Sequence, residues 1–190
     1  MSIDKGQILL PIARSAIAKQ LGQTLSAAVD APWLQEPGAT FITLTQDGEL
    51  RGCIGSLQAH RPLIEDVKSN ALAAAFSDPR FAPLQHTELR YTRVEVSLLS
   101  PSEPISFESE QHALAQLRPE IDGVIFEYGY YRSTFLPQVW EQLPDAQTFM
   151  AHLKHKAGLA PNFWAAGVKL SRYTVSKWKE AEPTREAKQA

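Results

Sequence analysis

The segment LRGCIGSL, residues 50–57, contains the only cysteine of the chain, Cys53. Arg51 precedes this cysteine by two positions, and Gly52 and Gly55 flank it. A guanidinium beside a thiol favours the thiolate and so lowers the pKa of the cysteine, which is how proteins activate a nucleophile. The types and spacing of these residues therefore allow a cysteine-based active site.

The same segment also fits a purely structural role. Free cysteine is among the most buried residue types, and glycines within a strand let another backbone or a ligand approach closely. A nucleophilic cysteine needs a base, and the sequence places none beside Cys53. His60 and His86 could serve only if the fold brings them to the sulfur. This pattern favours packing over nucleophilic chemistry.

The segment SDPRF is a second candidate for chemistry. Arg80 could clamp a carboxylate or another anion, with Asp78 orienting it. The alternative, which the Asp-Pro dipeptide favours, is a turn closed by a local ion pair and anchored by Phe81 in the core. Arg51 and Arg80 would be costly to place on one cleft unless something anionic lay between them.

Metal and nucleotide sites have little support in the sequence. His152 and His155 lie three positions apart and could ligate one metal, but HExxH and CxxC patterns are missing, so a solvated helix face is favoured. The glycines around Cys53 form neither GxGxxG nor a P-loop. We expect no metal and no other cofactor.

The strongest structural signal is ATFITLTQ, followed by an Asp-Gly dipeptide and ELRGCIGSL. Two such runs around Asp-Gly predict a hairpin with a type I′ turn. Regular pairing from this turn places Cys53 opposite Ile42 and Arg51 opposite Leu44. Arg51 and Cys53 would then point from the same face of the hairpin.

The remaining elements follow from periodicity and from turn residues. Helices are predicted over residues 3–21 (with Pro11 as a kink or late start), 61–76, 109–117 and 145–159. Strands are predicted over residues 90–100, with one buried face, in a second hairpin turning at Tyr128 and Gly129, and in LSRYTVSKW. Hairpins and single strands between helices predict an α+β domain with a largely antiparallel sheet flanked by helices.

Composition narrows the function classes. The 190 residues are 44% hydrophobic with a net charge of −2, which suits one domain over residues 1–190, with an ordered core over 5–179 and a disordered tail over 180–190. The chain lacks the basic excess typical of nucleic-acid binding. It also has no apolar run near the ~20 residues that span a bilayer, and its first residues lack the cationic start and small-residue cleavage site of a signal peptide, so we expect none. We expect a cytoplasmic protein without nucleic-acid or membrane partners.

The motifs together resemble a known family. LRGCIGSL is followed in order by SDPRFAPL, VEVSLLSP, FLPQVWEQ and HLKHKAGL, and over residues 5–179 the chain closely resembles the AMMECR1 domain family. The resemblance implies an α+β fold with a smaller lobe and with the signature residues at a groove. The family signature falls on Leu50, Arg51, Gly52, Cys53, Ile54, Gly55, Asp78, Arg80, Phe81, Leu136, Pro137, Val139, Lys156, Gly158 and Leu159.

The resemblance also implies partners. Relatives look like one member of a three-protein set with a Memo-type protein, similar to extradiol dioxygenases, and a radical SAM protein. We therefore predict an accessory or binding module that takes a small anionic ligand or a peptide. Its predicted ligand-binding residues are Arg51, Gly52, Gly55, Asp78 and Arg80. The alternative is a cysteine-dependent enzyme with Cys53 as the catalytic nucleophile on a small molecule or peptide.

Overall fold

The computed structural model describes residues 4–27 and 29–181. Within them the chain is α+β, with helices beside two four-stranded sheets whose pairings are antiparallel. This confirms the predicted fold class. The chain divides into two compact units: the first runs to Leu99 and resumes at Ser176, and the second comprises Ser100–Val175. The one-domain assignment stays a prediction, and the predicted tail beyond Ala181 lies outside the described residues.

The α-helices and strands follow in chain order. They are α1 (Gly6–Gln20), β1 (Thr40–Gln46), β2 (Glu49–Gly55), α2 (Leu63–Phe76), β3 (Thr92–Leu99), β4 (Glu103–Ile105), α3 (Glu110–Ala115), β5 (Gly123–Tyr128), β6 (Tyr131–Phe135), α4 (Ala146–Lys156), β7 (Lys169–Tyr173) and β8 (Val175–Lys179). Three 3-10 helices lie at Pro32–Gln35, His86–Tyr91 and Pro137–Glu141. The first sheet has the strand order β2-β1-β3-β8, and the second has β4-β7-β5-β6.

The hairpin of β1 and β2 turns where the sequence predicts it. Asp47 and Gly48 have φ angles of 50° and 84°, as a type I′ turn requires. Gln46 pairs with Glu49 next to this turn. The short-range turn preference of the Asp-Gly dipeptide is therefore sufficient to locate this hairpin.

The predicted register is correct for the pairs Gln46–Glu49 and Thr45–Leu50 and wrong by one residue from Leu44 onward. The pairing shifts between Leu44 and Thr45, and Arg51 has no partner residue in β1, as in a β-bulge. Cys53 consequently lies opposite Thr43. The bulge places Gly52 against α2, where a Cβ atom would stand 2.1 Å from the carbonyl oxygen of Ala74. Regular alternation of side chains along a strand cannot predict this bulge, because the extra residue depends on how α2 packs against the strand.

The bulged register gives the two faces of the first sheet different characters. One face joins α1 and α2 in the core of the first unit and is lined by Ile42, Leu44, Val94 and Val96, none of which is exposed. The opposite face has polar side chains in register: Thr43 pairs with both Cys53 and Glu95. The sheet thus has one face in the helix-covered core and one polar face.

Helix α1 supplies much of the cover on the apolar face. Its buried residues Leu9, Ile12 and Ile17 recur at helical spacing, as the sequence predicts. The helix begins at Gly6 and continues through Pro11. Residue 3, where the predicted helix begins, lies outside the described residues.

The second unit has its own core. Trp140 stacks on Phe149 with ring centroids 3.8 Å apart, and the indole donates to the carbonyl oxygen of Asp122 at 2.7 Å. Its hairpin pairs Tyr128 with Tyr131, so the turn lies one residue later than predicted.

The segment LSRYTVSKW forms two strands rather than the single predicted strand. Strand β7 belongs to the second sheet and β8 to the first, with Thr174 between them. An alternating pattern in the sequence carries no information about which neighbouring strand provides the hydrogen bonds, so it cannot reveal the division.

Candidate functional site

The edge strand β2 has its outer backbone groups bonded by the turn after α2. The backbone N–H of Cys53 donates to Asp78 Oδ2 at 2.9 Å, and Arg80 Nη2 donates to the carbonyl oxygen of Cys53 at 3.3 Å. Edge strands present unpaired backbone groups, which need other partners. The turn supplies these partners at the position of the cysteine.

The predicted ion pair of the turn is present. Arg80 Nε donates to Asp78 Oδ1 at 3.0 Å, and Nη2 donates to Oδ2 at 2.7 Å. The Asp78 side chain is only 2% exposed, whereas that of Arg80 is 53% exposed. The hydrogen bond from Arg80 outweighs desolvation and holds the pKa of Asp78 well below its usual range, and the same bond raises the pKa of Arg80. Both groups are therefore charged at neutral pH.

Arg51 is held by a carboxylate from the 3-10 helix before β3. Its Nε and Nη2 donate to the two carboxylate oxygens of Glu88 at 3.0 and 3.1 Å. This bond is the main reason why the pKa of Glu88 is lowered. The Arg51 side chain is 13% exposed, and its buried Nη1 has no hydrogen-bond partner within the part of the chain that the structure describes.

The ring of Phe81 brings the two arginines together. Cζ of Arg51 lies 5.9 Å and Cζ of Arg80 lies 5.5 Å from the ring centroid. Phe81 is partly exposed rather than anchored in the core. The two predicted guanidiniums therefore meet at one place, each already paired with its own carboxylate.

Cys53 has a different environment from the one that regular pairing predicts. Its sulfur accepts a hydrogen bond from Thr43 Oγ1 at 3.4 Å, and the residue is half-buried. The candidate bases have other partners: His60 Nδ1 lies 2.9 Å from the carbonyl oxygen of Gln58, and His86 Nε2 lies 3.0 Å from the amide nitrogen of Gln23. The structure brings Asp78 and Arg80 to Cys53, but it gives the thiol no histidine partner among the described residues.

Gly52 and Gly55 lie where the packing leaves no room for a Cβ atom. A Cβ atom on Gly52 would collide with the backbone of α2, as described above. A Cβ atom on Gly55 would lie 2.2 Å from the ring of Phe41, which covers that position. The close approach predicted for both glycines is thus to a helix backbone and to an aromatic ring.

The polar face of the first sheet, here Thr43, Thr45, Cys53, Arg93 and Glu95, was not identified as a site from the sequence. Thr45 pairs with Arg93 one step along the strands from the pairs of Thr43. Alternation in β3 predicts an outward position for Arg93, yet this residue is only 9% exposed. The sequence signal that could have identified this face was Arg93, an arginine in the middle of a predicted strand of alternating polarity.

Three buried polar side-chain atoms among the described residues have no hydrogen-bond partner. They are Thr45 Oγ1, Arg51 Nη1 and Arg93 Nε. All three belong to adjacent strands of the first sheet, near the bulge. Unsatisfied buried groups are rare in native proteins, and their concentration in one place requires an explanation.

A buried polar network at the other end of the hairpin was also missed. Asp66 and Asn70 lie on the buried side of α2, which the sequence assigns to apolar residues alone. Asp66 Oδ2 accepts from the backbone N–H of Thr40 at 2.8 Å, and its Oδ1 accepts from Ser56 Oγ at 2.6 Å and from Arg61 Nε at 2.8 Å. These five residues are called the Asp66 network below.

The other signature residues lie in the second unit. Leu136, Pro137 and Val139 lie at the 3-10 helix Pro137–Glu141, and Lys156 Nζ donates to the carbonyl oxygen of Thr134 at 2.9 Å. Gly158, with a φ of 92°, follows the end of α4.

His152 and His155 are exposed on α4 and line a cleft of about 510 Å³. Within residues 4–27 and 29–181 no group of three His, Cys, Asp or Glu side chains is arranged to hold a metal ion. The same part of the chain has no helix that is long and apolar enough to cross a bilayer.

Comparison with known proteins assigns the family. A family model described as AMMECR1 matches residues 10–178. The chain belongs to the AMMECR1 family. Among AMMECR1 relatives, Protein MJ0810 of Methanocaldococcus jannaschii is 37% identical over 188 residues, covering 96% of this chain and 94% of the relative. Protein SSO0193 of Saccharolobus solfataricus is 37% identical over 187 residues, covering 94% and 82%.

A solved structure is also similar to this AMMECR1 chain. The crystal structure of the uncharacterized protein PH0010 from Pyrococcus horikoshii matches with a TM-score of 0.77 and 34% identity, covering 94% of this chain and 92% of that one. The predicted family is confirmed.

Proposed function

We propose that this AMMECR1 protein is an accessory or binding module whose ligand is a small anionic molecule or the carboxylate of a peptide. The proposed site is the β2–turn surface, defined as Arg51, Cys53, Asp78, Arg80 and Phe81. The observation that carries the proposal is the half-exposed guanidinium of Arg80, which Asp78 holds in one orientation beside Cys53.

Asp78 occupies only one edge of the Arg80 guanidinium. The fork uses Nε and Nη2, and Nη2 also reaches the carbonyl oxygen of Cys53. A guanidinium carries five N–H donors, so the end that carries Nη1 is able to bind a second carboxylate. Because the pKa of Asp78 is lowered, the fork persists throughout the neutral range.

A binding role fits the chemistry around the thiol better than catalysis does. Among the described residues the sulfur bonds to Thr43, while the imidazoles of His60 and His86 bond elsewhere. A module that presents a ligand to chemistry performed by another protein needs a site but no base of its own. Together with membership of the AMMECR1 family, this supports a Memo-type protein and a radical SAM protein as the proposed partners.

Titration calorimetry with succinate and with an acetylated tripeptide tests the ligand. We expect Arg80→Gln to weaken binding about tenfold or more, since it removes a charge-assisted pair. The matched control is Arg132→Gln, which removes another half-exposed arginine from a different strand. Equal affinities for the unmodified protein and Arg80→Gln would exclude the β2–turn surface as the ligand site.

The partner is tested with a purified Memo-type protein encoded in the same genome. We expect the two proteins to co-elute in size-exclusion chromatography and the double variant Arg80→Gln, Phe81→Ala to elute separately. Co-elution that this double variant leaves unchanged would contradict the assignment of the surface.

One arrangement favours the second candidate, a cysteine-dependent enzyme. Cys53, Thr43 and Glu95 occupy one row across three strands, and the threonine hydroxyl donates to the sulfur. A donor to sulfur stabilises the thiolate, and Glu95 provides a carboxylate in the same row. Alkylation by iodoacetamide separates the two candidates: the enzyme predicts fast labelling at neutral pH that Thr43→Val slows, whereas the binding module predicts the rate of an ordinary thiol.

A further inference from the structure

We propose that the polar face of the first sheet binds a small monocarboxylate through Arg93 and Thr45. This site does not rest on the proposed function, because neither residue belongs to the β2–turn surface or to the family signature. The proposal is carried by two buried polar groups on directly opposed residues, neither of which has a hydrogen-bond partner among residues 4–27 and 29–181.

Arg93 is a buried cation that has no counter-charge among the described residues. It is 9% exposed, and its Nη1 donates only to the backbone carbonyl oxygens of Thr92 at 3.0 Å and Arg90 at 3.4 Å. Among residues 4–27 and 29–181 its Nε has no hydrogen-bond partner, and no carboxylate forms an ion pair with the guanidinium. Arginine does not lose its proton in proteins, so this guanidinium still requires an anion.

Thr45 places a second unsatisfied group beside the first. It pairs directly with Arg93 across β1 and β3, and its Oγ1 is also buried without a partner. Cβ atoms of directly opposed residues on one face of an antiparallel pair lie about 4.5–5.5 Å apart. A carboxylate has two acceptor oxygens, so one ligand of this kind supplies an acceptor for each of the two side chains.

The neighbouring residues define the ligand class. Glu95 lies in register with Thr43 on the same face and carries a negative charge. It therefore disfavours ligands that carry more than one negative charge, such as phosphates and polyanions. Leu50, which pairs with Thr45 and is 43% exposed, offers apolar contact. A single carboxylate on a short apolar body satisfies both neighbours, and butyrate is a suitable probe.

Arg14 is the matched control for Arg93. Its guanidinium donates to both oxygens of Glu180 and to the carbonyl oxygens of Thr92 and Leu89. Both arginines lie in the first unit, but of the two only Arg14 has a counter-charge among the residues that the structure describes. Replacing the two by methionine should therefore have opposite effects.

Thermal unfolding in butyrate, chloride and inorganic phosphate at equal ionic strength tests the site. We expect butyrate to raise the Tm of the unmodified protein saturably by a few degrees, because a ligand that binds only the native state stabilises it. Arg93→Met should abolish this rise and leave the Tm without butyrate equal or higher, since removing an uncompensated buried charge is not destabilising. Thr45→Val should raise the Kd for butyrate about tenfold. Arg14→Met should lower the Tm but keep the butyrate response.

Three results would overturn the proposal. The first is a Tm that rises no more in butyrate than in chloride, which is the result of charge screening alone. The second is a lower Tm for Arg93→Met without butyrate, which would make the guanidinium structural. The third is stabilisation by inorganic phosphate but not by butyrate, which would exclude the carboxylate.

Discussion

The two ends of the β1–β2 hairpin contain polar residues of the same kinds, but they satisfy them differently. At the open end, the carboxylate of Asp66 accepts five hydrogen bonds, from the backbone and hydroxyl of Thr40 and from Ser56, Arg61 and Asn70. Thr40 and Asp66 are fully buried. The Asp66 network therefore stabilises the junction of the sheet with α2.

At the other end of the hairpin, next to Asp47 and Gly48, several polar groups have no hydrogen-bond partner among the described residues. Arg51 forms a fork with Glu88, yet its Nη1 has no acceptor, and Thr45 and Arg93 each bury an unsatisfied group. Arg80 lies half-exposed beside Cys53. Complete pairing at the open end therefore indicates a structural network. Several unsatisfied donors close together instead indicate a place where we expect a ligand.

The largest effect on stability is expected from a substitution in the Asp66 network, at the open end of the hairpin. Asp66→Asn keeps the shape of the side chain but removes the charge and turns an amide toward existing donors, so we expect a loss of about 3–5 kcal/mol in the free energy of unfolding. Urea unfolding measures it. Glu65→Gln, at the exposed neighbouring position of α2, is the control and should change stability by no more than about 0.5 kcal/mol. Similar losses for the two variants would contradict the structural role of the network.

Gly52→Ala tests whether Gly52 is needed for packing against α2 or for a ligand. Its Cβ would stand 2.1 Å from the carbonyl oxygen of Ala74, so we expect a loss of about 3 kcal/mol in urea unfolding. Gly48→Asn is the control, because that position is open and asparagine tolerates its positive φ. An unchanged stability for Gly52→Ala would point to a ligand role for this glycine instead.

The carboxylate of Asp78, in the turn after α2, contributes a stabilisation that depends on pH. At pH 7 Asp78→Asn should lose about 2 kcal/mol, the value of hydrogen bonds to a buried charged group. Because the folded pKa of Asp78 lies below its ordinary value of 3.8, this stabilisation is fully present above that value and is lost as the pH falls further, toward the folded pKa.

Urea unfolding of the unmodified protein and of Asp78→Asn between pH 7 and pH 3 checks this sign. The difference between the two curves should stay constant down to about pH 5 and shrink at lower pH. A difference that grows on acidification would show that the carboxyl is protonated in the folded protein.

The smallest effect on stability is expected from the ion pair of Arg51 and Glu88 beside the β-bulge. Arg51 and Glu88 are 13% and 30% exposed, so Glu88→Gln should cost about 1 kcal/mol or less in urea unfolding. The control Glu127→Gln removes an exposed pair with Arg132 and should cost less than about 0.5 kcal/mol. A loss as large as that of Asp66→Asn would remove the distinction between the two ends of the hairpin.

Much of the architecture could be predicted because it depends on neighbouring residues. The turn at Asp47 and Gly48 follows from backbone preference, and the pair of Asp78 and Arg80 lies within one turn. The bulge at Arg51 could not be predicted, because it depends on how closely α2 approaches Gly52. The division of LSRYTVSKW between two sheets likewise depends on strands that are distant in the sequence.

The candidate site was predicted in part for the same reason. Asp78 and Arg80 were identified and do lie at Cys53, whereas the histidine partner considered for the thiol is replaced by Thr43. Arg93 was placed on an outward face by alternation alone. The burial of this arginine depends on what surrounds the strand, which alternation does not describe.

The sequence by itself determined the first hairpin turn and most helical and strand segments, because backbone preferences and periodicity act over a few residues, and its motifs determined the family. Only the tertiary structure decided which polar group meets which: Cys53 and Asp78 are 25 residues apart, and Arg51 and Glu88 are 37 apart. The physical reason is that a buried polar group takes its partner from whatever the packing of the core brings within hydrogen-bond distance. The unsatisfied donors of the polar face are a product of the same packing.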